Sequence, residues 1–196
     1  GIGHAGTLDP LASGLVIVCY GKYTKKIEGI QAQIKEYIGS FHIGKTTPSF
    51  DLETEVDVEY SIENINSDML ENATKFFLGD IQQVPPQHSA IKINGKRAYE
   101  HARKGEEVEL KSRTINISKF EIDDAMFPTV SFLVECSKGT YIRSLARDYG
   151  LALNSGAYLS SLRRTKIGDF DVENAISPEK IGSQEEFFSF AQQFSI

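Results

Sequence analysis

The chain has 196 residues and a mass of 21.8 kDa, with 40% hydrophobic and 24% charged residues and a formal charge of −6, which suits one folded domain. Its longest apolar run, Leu15 to Cys19, is too short to span a bilayer, and no apolar stretch follows a basic start as in a secretory signal. The two cysteines, Cys19 and Cys136, form neither a CxxC pair nor a metal-ligand cluster, so disulfide scaffolds and cysteine zinc sites are excluded and a reduced, cytoplasmic, monomeric domain without metal is expected.

Leu15 to Tyr20 reads as a buried strand closed by Gly21. Lys35 to Gly44 alternates, with Tyr37, Gly39, Phe41 and Ile43 on one face, and predicts a second strand. Ser67 can cap a helix through Met69, Leu70, Ala73, Phe76 and Phe77 that stops at Gly79. Val84-Pro85-Pro86 breaks regular structure. Ile91 to Gly95 suggests a strand and turn, and Arg97 to Lys104 a short helix ended by Gly105. Strands follow over Ile115 to Ile122 and Thr129 to Ser137, then a helix over Tyr141 to Leu153 with Ile142, Leu145, Ala146 and Tyr149 inward. A last strand is expected near Lys166 to Val172 and a terminal helix over Gln184 to Gln193. Strands and helices do not alternate strictly, so the pattern favours an α+β fold with a mixed, mostly antiparallel sheet and flanking helices.

The charge is unevenly spread. Residues 84–113 and 138–166 are net basic, and residues 51–80 carry nine acids against one lysine. Such blocks fit either a mixed, solvated surface or one positive face for a polyanion with an acidic back.

Gly1-Ile2-Gly3-His4-Ala5-Gly6 matches GxGxxG literally. A dinucleotide fingerprint also needs a strand before it and a helix directly after, and Thr7-Leu8-Asp9-Pro10 follows instead, so the match is rejected. Taken alone, Asp9-Pro10 predicts an N-cap and first helical position of a short helix ended by Gly14.

The longer string Gly3-His4-Ala5-Gly6-Thr7-Leu8-Asp9-Pro10-Leu11-Ala12-Ser13-Gly14-Leu15 closely resembles the catalytic motif of the TruB family of tRNA pseudouridine synthases. Further segments resemble the family in order. They are the tyrosine strand at Lys35-Glu36-Tyr37, the segment Gly44 to Asp51, and an RNA-clasping thumb insertion spanning 81–113. The arginine motif Ser137 to Leu145 and the closing motif Ala157 to Thr165 complete the series. The family's Lys-Pro-Gly-type N-terminal segment has no counterpart here, and the roughly 30 residues after Thr165 are too few for an RNA-binding PUA domain. One catalytic domain over 1–196 is therefore expected.

The resemblance implies a pseudouridine synthase fold and isomerisation of uridine-55 in the T arm of tRNA. That chemistry has no net redox change and transfers no outside group, so no cofactor is expected. Asp9 would supply a carboxylate that attacks sugar or base, or removes a ribose proton. Arg143 would be its ionic partner, and Tyr37 would stack on the extruded uracil and take the C5 proton. Leu162 and Ile142 are expected to line the pocket. His4, Lys92, Lys96, Arg97, Arg103, Lys104, Lys138, Arg163 and Arg164 are the expected RNA contacts.

Overall fold

A computed structural model describes residues 1–183 except 90, 94, 95 and 107, together with 185, 186 and 189. The chain opens with β1 (Ile2–His4), β2 (Ser13–Gly14) and β3 (Val18–Tyr20), then α1 (Ile27–Gln31) and the long strand β4 (Lys35–Ile43). A small hairpin of β5 (Lys45–Thr46) and β6 (Val58–Glu59) precedes α2 (Ser67–Thr74) and β7 (Gly79–Gln83). A second hairpin, β8 (Lys92–Ile93) and β9 (Lys96–Arg97), leads into α3 (Ala98–Ala102). The chain continues with β10 (Arg113–Asp123), β11 (Thr129–Cys136), α4 (Ile142–Ala152), β12 (Ala157–Ile167) and β13 (Phe170–Asp171).

Six strands pair antiparallel in the order β13-β12-β4-β11-β10-β7, and β2 joins β12 in parallel, so the sheet is mixed and mostly antiparallel. Period-2 alternation decides which face is covered. Phe41 and Ile43 of β4 and Val130, Phe132, Val134 and Cys136 of β11 are buried on the same side as Ile115 and Ile117 of β10. On them lie Leu70 and Ala73 of α2 and Ile142, Leu145, Ala146 and Tyr149 of α4. Phe41 stacks on Phe132 with ring centroids 4.3 Å apart, and the Tyr149 hydroxyl donates to the Leu70 carbonyl at 2.8 Å, tying the two helices together. The layer order is thus helices on one face of a sheet, with one apolar core between.

Several expectations need correction. Asp9-Pro10 starts a turn, Ala12 N–H to Asp9 carbonyl at 2.9 Å, and no helix, because the chain must bend back to pair Ser13-Gly14 with β12. The run Leu15 to Tyr20 is strand only from Val18, and its alternation leaves Val16 and Val18 exposed. The α2 cap is Asn66, whose side chain accepts from Met69 N–H, one residue before the expected serine. The strand expected from Lys166 covers the junction of β12 and β13, which turn at Gly168. The expected terminal helix falls largely outside the described residues.

The strand β12 has no clean alternation in sequence because it carries register shifts between Leu159 and Ser161 and between Arg164 and Lys166. At the first shift Ser40 Oγ lies 2.7 Å from both Ser160 Oγ and Ser161 Oγ. Opposite it, Gly39 has no room for a side chain: a Cβ there would sit 2.2 Å from the Ser161 carbonyl oxygen and 2.8 Å from the Phe132 ring. Gly39→Ala should therefore force β4 and β12 apart and cost about 2 kcal/mol or more. A chemical denaturation midpoint equal to that of the unaltered chain would show that the two strands do not meet this closely.

Candidate active site

The loop between β1 and β2 carries Asp9, and its path is set by a buried arginine. Arg164 of β12 is 2% exposed. Its guanidinium donates to the carbonyls of Leu15 (2.8 Å), Gly6 (2.9 Å) and Thr7 (3.5 Å), so three loop carbonyls converge on one cation. Gly14, at φ +107, completes the anchor, since a Cβ there would lie 2.2 Å from the Arg164 carbonyl oxygen. Arg164, expected as an RNA contact, is instead buried, with its donors turned inward to loop backbone.

Asp9 is held from the other side by Arg143, the second residue of α4. The pair is bidentate, Nε to Oδ2 at 2.8 Å and Nη2 to Oδ1 at 3.2 Å. The Arg143 side chain is 4% exposed and that of Asp9 36% exposed, so the guanidinium is sealed while the carboxylate keeps an open edge. Arg143 also donates to the Ser49 carbonyl at 3.4 Å, and Asp51 Oδ2 lies 3.9 Å from its Nε. Asp51 is itself buried and accepts from Ser49 Oγ (2.6 Å) and Glu53 N–H (2.9 Å). One buried cation thus stands between two carboxylates. Asp51 was missed as a site residue in sequence, where it is one of nine acids between residues 51 and 80, although it closes the family-like segment Gly44 to Asp51.

Asp9 and Asp51 open into a cleft of about 290 Å³ lined also by Leu11, Ala12, Leu52, Leu159, Ser160, Ser161 and Leu162. Leu162 lies where expected. Ile142 does not: it is 4% exposed, packed in the core behind Arg143 on the face of α4 turned to the sheet. Tyr37 is half-buried on β4, in register with Arg164 and packed on the core. Burial pushes its phenol up to about 12; Cys136 and Asp9 add to the rise, while Arg164, which also hydrogen-bonds the phenol, opposes it. Tyr37 is thus near both the loop clasp and Asp9, and protonated at neutral pH.

His4, Lys96, Arg97, Arg103, Lys104, Lys138 and Arg163 are all exposed. Arg103 lies over the Tyr99 ring at 5.3 Å. Lys138 sits in the turn that leads to α4, and Arg163 borders a second hollow beside Ser13, Ile38, Ser40 and Ser131. The side chain of Lys92 lies outside the described residues.

A family model described as "TruB family pseudouridylate synthase (N terminal domain)" matches residues 1–142. A tRNA pseudouridine synthase B of Flavobacterium johnsoniae is 59% identical over 175 residues, covering 89% of this chain and 76% of that protein. One of Parabacteroides distasonis is 56% identical over 180 residues, covering 92% and 77%. Among solved structures, a Cbf5-Nop10-Gar1 complex contains a chain that matches all of this one with a TM-score of 0.70 and 29% identity. An H/ACA RNP bound to a substrate RNA containing 2'-deoxyuridine matches with a TM-score of 0.67 and 26% identity. This chain spans about half the length of those two chains, 48% and 47%.

The Tyr37 shift has a consequence for stability. A phenol whose ionisation is raised in the folded state is neutral there while the unfolded chain ionises near its ordinary value of 10. Its contribution is complete below pH 10 and is lost as pH rises toward 12. Tyr37→Phe should flatten the fall in unfolding free energy over that window, measured by denaturant titration from pH 9 to 12; an unchanged slope would place the phenol in water.

Proposed function

The chain belongs to the TruB family of pseudouridylate synthases, and from that premise we propose that it isomerises uridine-55 in the T arm of tRNA with Asp9 as its catalytic carboxylate. The observation that carries this reading is the Asp9–Arg143 fork at the floor of an open cleft. Its sealed guanidinium fixes the direction of the carboxylate, and the open edge of Asp9 is left for a reactant.

In the reaction the N1–C1′ bond of uridine breaks, the uracil turns, C5 joins C1′, the C5 proton leaves and N1 gains one. Asp9 engages the ribose or base, either by covalent attack or by taking a ribose proton. Tyr37 supports the loosened ring; its phenol first gives up its own proton, matched by the one that N1 gains, and the phenolate, favoured by Arg164 at its oxygen, then receives the C5 proton. Leu162 keeps water from the intermediate. No electrons enter or leave, so the reading assigns no cofactor. A uridine in a folded arm must leave its stack first, which costs a few kcal/mol. Phosphate contacts from the hairpin and helix within 81–113, with His4, Lys138 and Arg163, would offset that cost. The name shared by the two curated relatives above, tRNA pseudouridine synthase B, supports tRNA as the substrate.

The test uses tRNA carrying tritium at C5 of its uridines. The chain should release label, and Asp9→Asn should release none while binding the same tRNA within about twofold, because one exposed-edge carboxylate contributes little to a phosphate-dominated affinity. Release by Asp9→Asn at the unaltered rate, or no release by the unaltered chain, would overturn the proposal.

A further inference from the structure

Two large apolar side chains stand in water at the mouth of the cleft: Leu11 is 58% exposed and Leu52 is 54% exposed, and both line it beside Asp9 and Asp51. Leu52 does not reach this position by slack. It follows Phe50, whose φ of 65 lies in the left-handed region that a bulky residue rarely adopts. Several bonds hold the turn in this conformation. Thr47 Oγ1 donates to the Asp51 carbonyl at 2.6 Å, and Ser49 N–H to Thr54 Oγ1 at 3.0 Å. Leu159 N–H donates to the Phe50 carbonyl at 2.8 Å, and the Arg147 guanidinium lies over the Phe50 ring at 5.0 Å.

A strained backbone held by so many contacts is found where the surroundings over-determine it for a purpose. Here Leu52, two residues on, lines the cleft together with both carboxylates. Such a side chain gains free energy when apolar or weakly polar surface, such as a base face, covers it. The cleft is small, about 290 Å³, and open, and its lining combines leucines with two carboxylates, which fits one planar heterocyclic base.

We propose that Leu52, with Leu11, grips the extruded pyrimidine by apolar contact within the cleft and is a substrate-contacting residue for the isomerisation. The inference rests on the reading that a uridine is flipped into this cleft. The grip acts after the RNA has docked on its phosphates, so it tightens the flipped state without adding to the affinity for the folded arm. Leu52 is more than half exposed, so its truncation leaves the core intact.

Single-turnover tritium release and filter binding of the same tRNA separate these steps for the full chain and for Leu52→Ala and Leu52→Met. Leu52→Ala should slow release about tenfold at saturating enzyme, corresponding to ~1.4 kcal/mol, with the tRNA Kd unchanged within about twofold. Leu52→Met, which keeps apolar reach, should recover most of the rate. Release by Leu52→Ala at the unaltered rate overturns the grip while the proposed function stands. So does a slow Leu52→Met, or a Kd that weakens by the same factor as the rate. Absence of release by the unaltered chain instead overturns the reading on which the grip rests.

Discussion

A guanidinium 4% exposed to solvent must be met by acceptors on every side, and the site is organised around that requirement at Arg143. Its fork fixes Asp9, its third nitrogen reaches the Ser49 carbonyl, and Asp51 adds a second negative charge. Removing one partner would leave a buried charge uncompensated, so three stretches far apart in sequence are bound to one another by electrostatics. Those stretches are the first loop, the turn after β5 and the start of α4. Their meeting point is the floor of the cleft.

A second buried cation, Arg164, performs the complementary task. It satisfies carbonyls that would otherwise be stranded in a loop without regular structure, and so lets that loop lie against β12. The sheet supplies the rigid base for both. β12 and β4 approach closely at Gly39, and beside this point the bulge places Ser160, Ser161 and Leu162 along the cleft. The left-handed backbone at Phe50 also lies next to Asp51 in sequence.

What the sequence disclosed follows from which signals are local. The strands β4, β10 and β11 and the helix α4 were legible because one face of each is apolar at the right period. The motif around Asp9 implied a carboxylate paired with Arg143, and the two side chains do meet. β12 was not legible, because its bulges interrupt the alternation by which strands are recognised. Arg163 and Arg164 are the same residue type in adjacent positions, so a strand must turn one out and one in; only the partners on β2 and the first loop decide that Arg164 is the buried one. Ile142 and Asp51 illustrate the same limit. Whether an apolar residue beside a site lines it or backs it, and which of nine acids meets the cation, are settled by tertiary packing alone.

The account stands most directly on the planar fork at Arg143. Arg143→Lys retains a positive charge but replaces a rigid two-point clamp with a single mobile ammonium. The decisive measurement is the single-turnover rate of tritium release by this variant alongside its tRNA affinity and its thermal stability. The account predicts a folded protein that binds tRNA normally and releases label at least about a hundredfold more slowly, as expected when positioning of the reacting group is lost. A folded variant with near-normal turnover would contradict it, since a point charge would then suffice where the structure shows a fork.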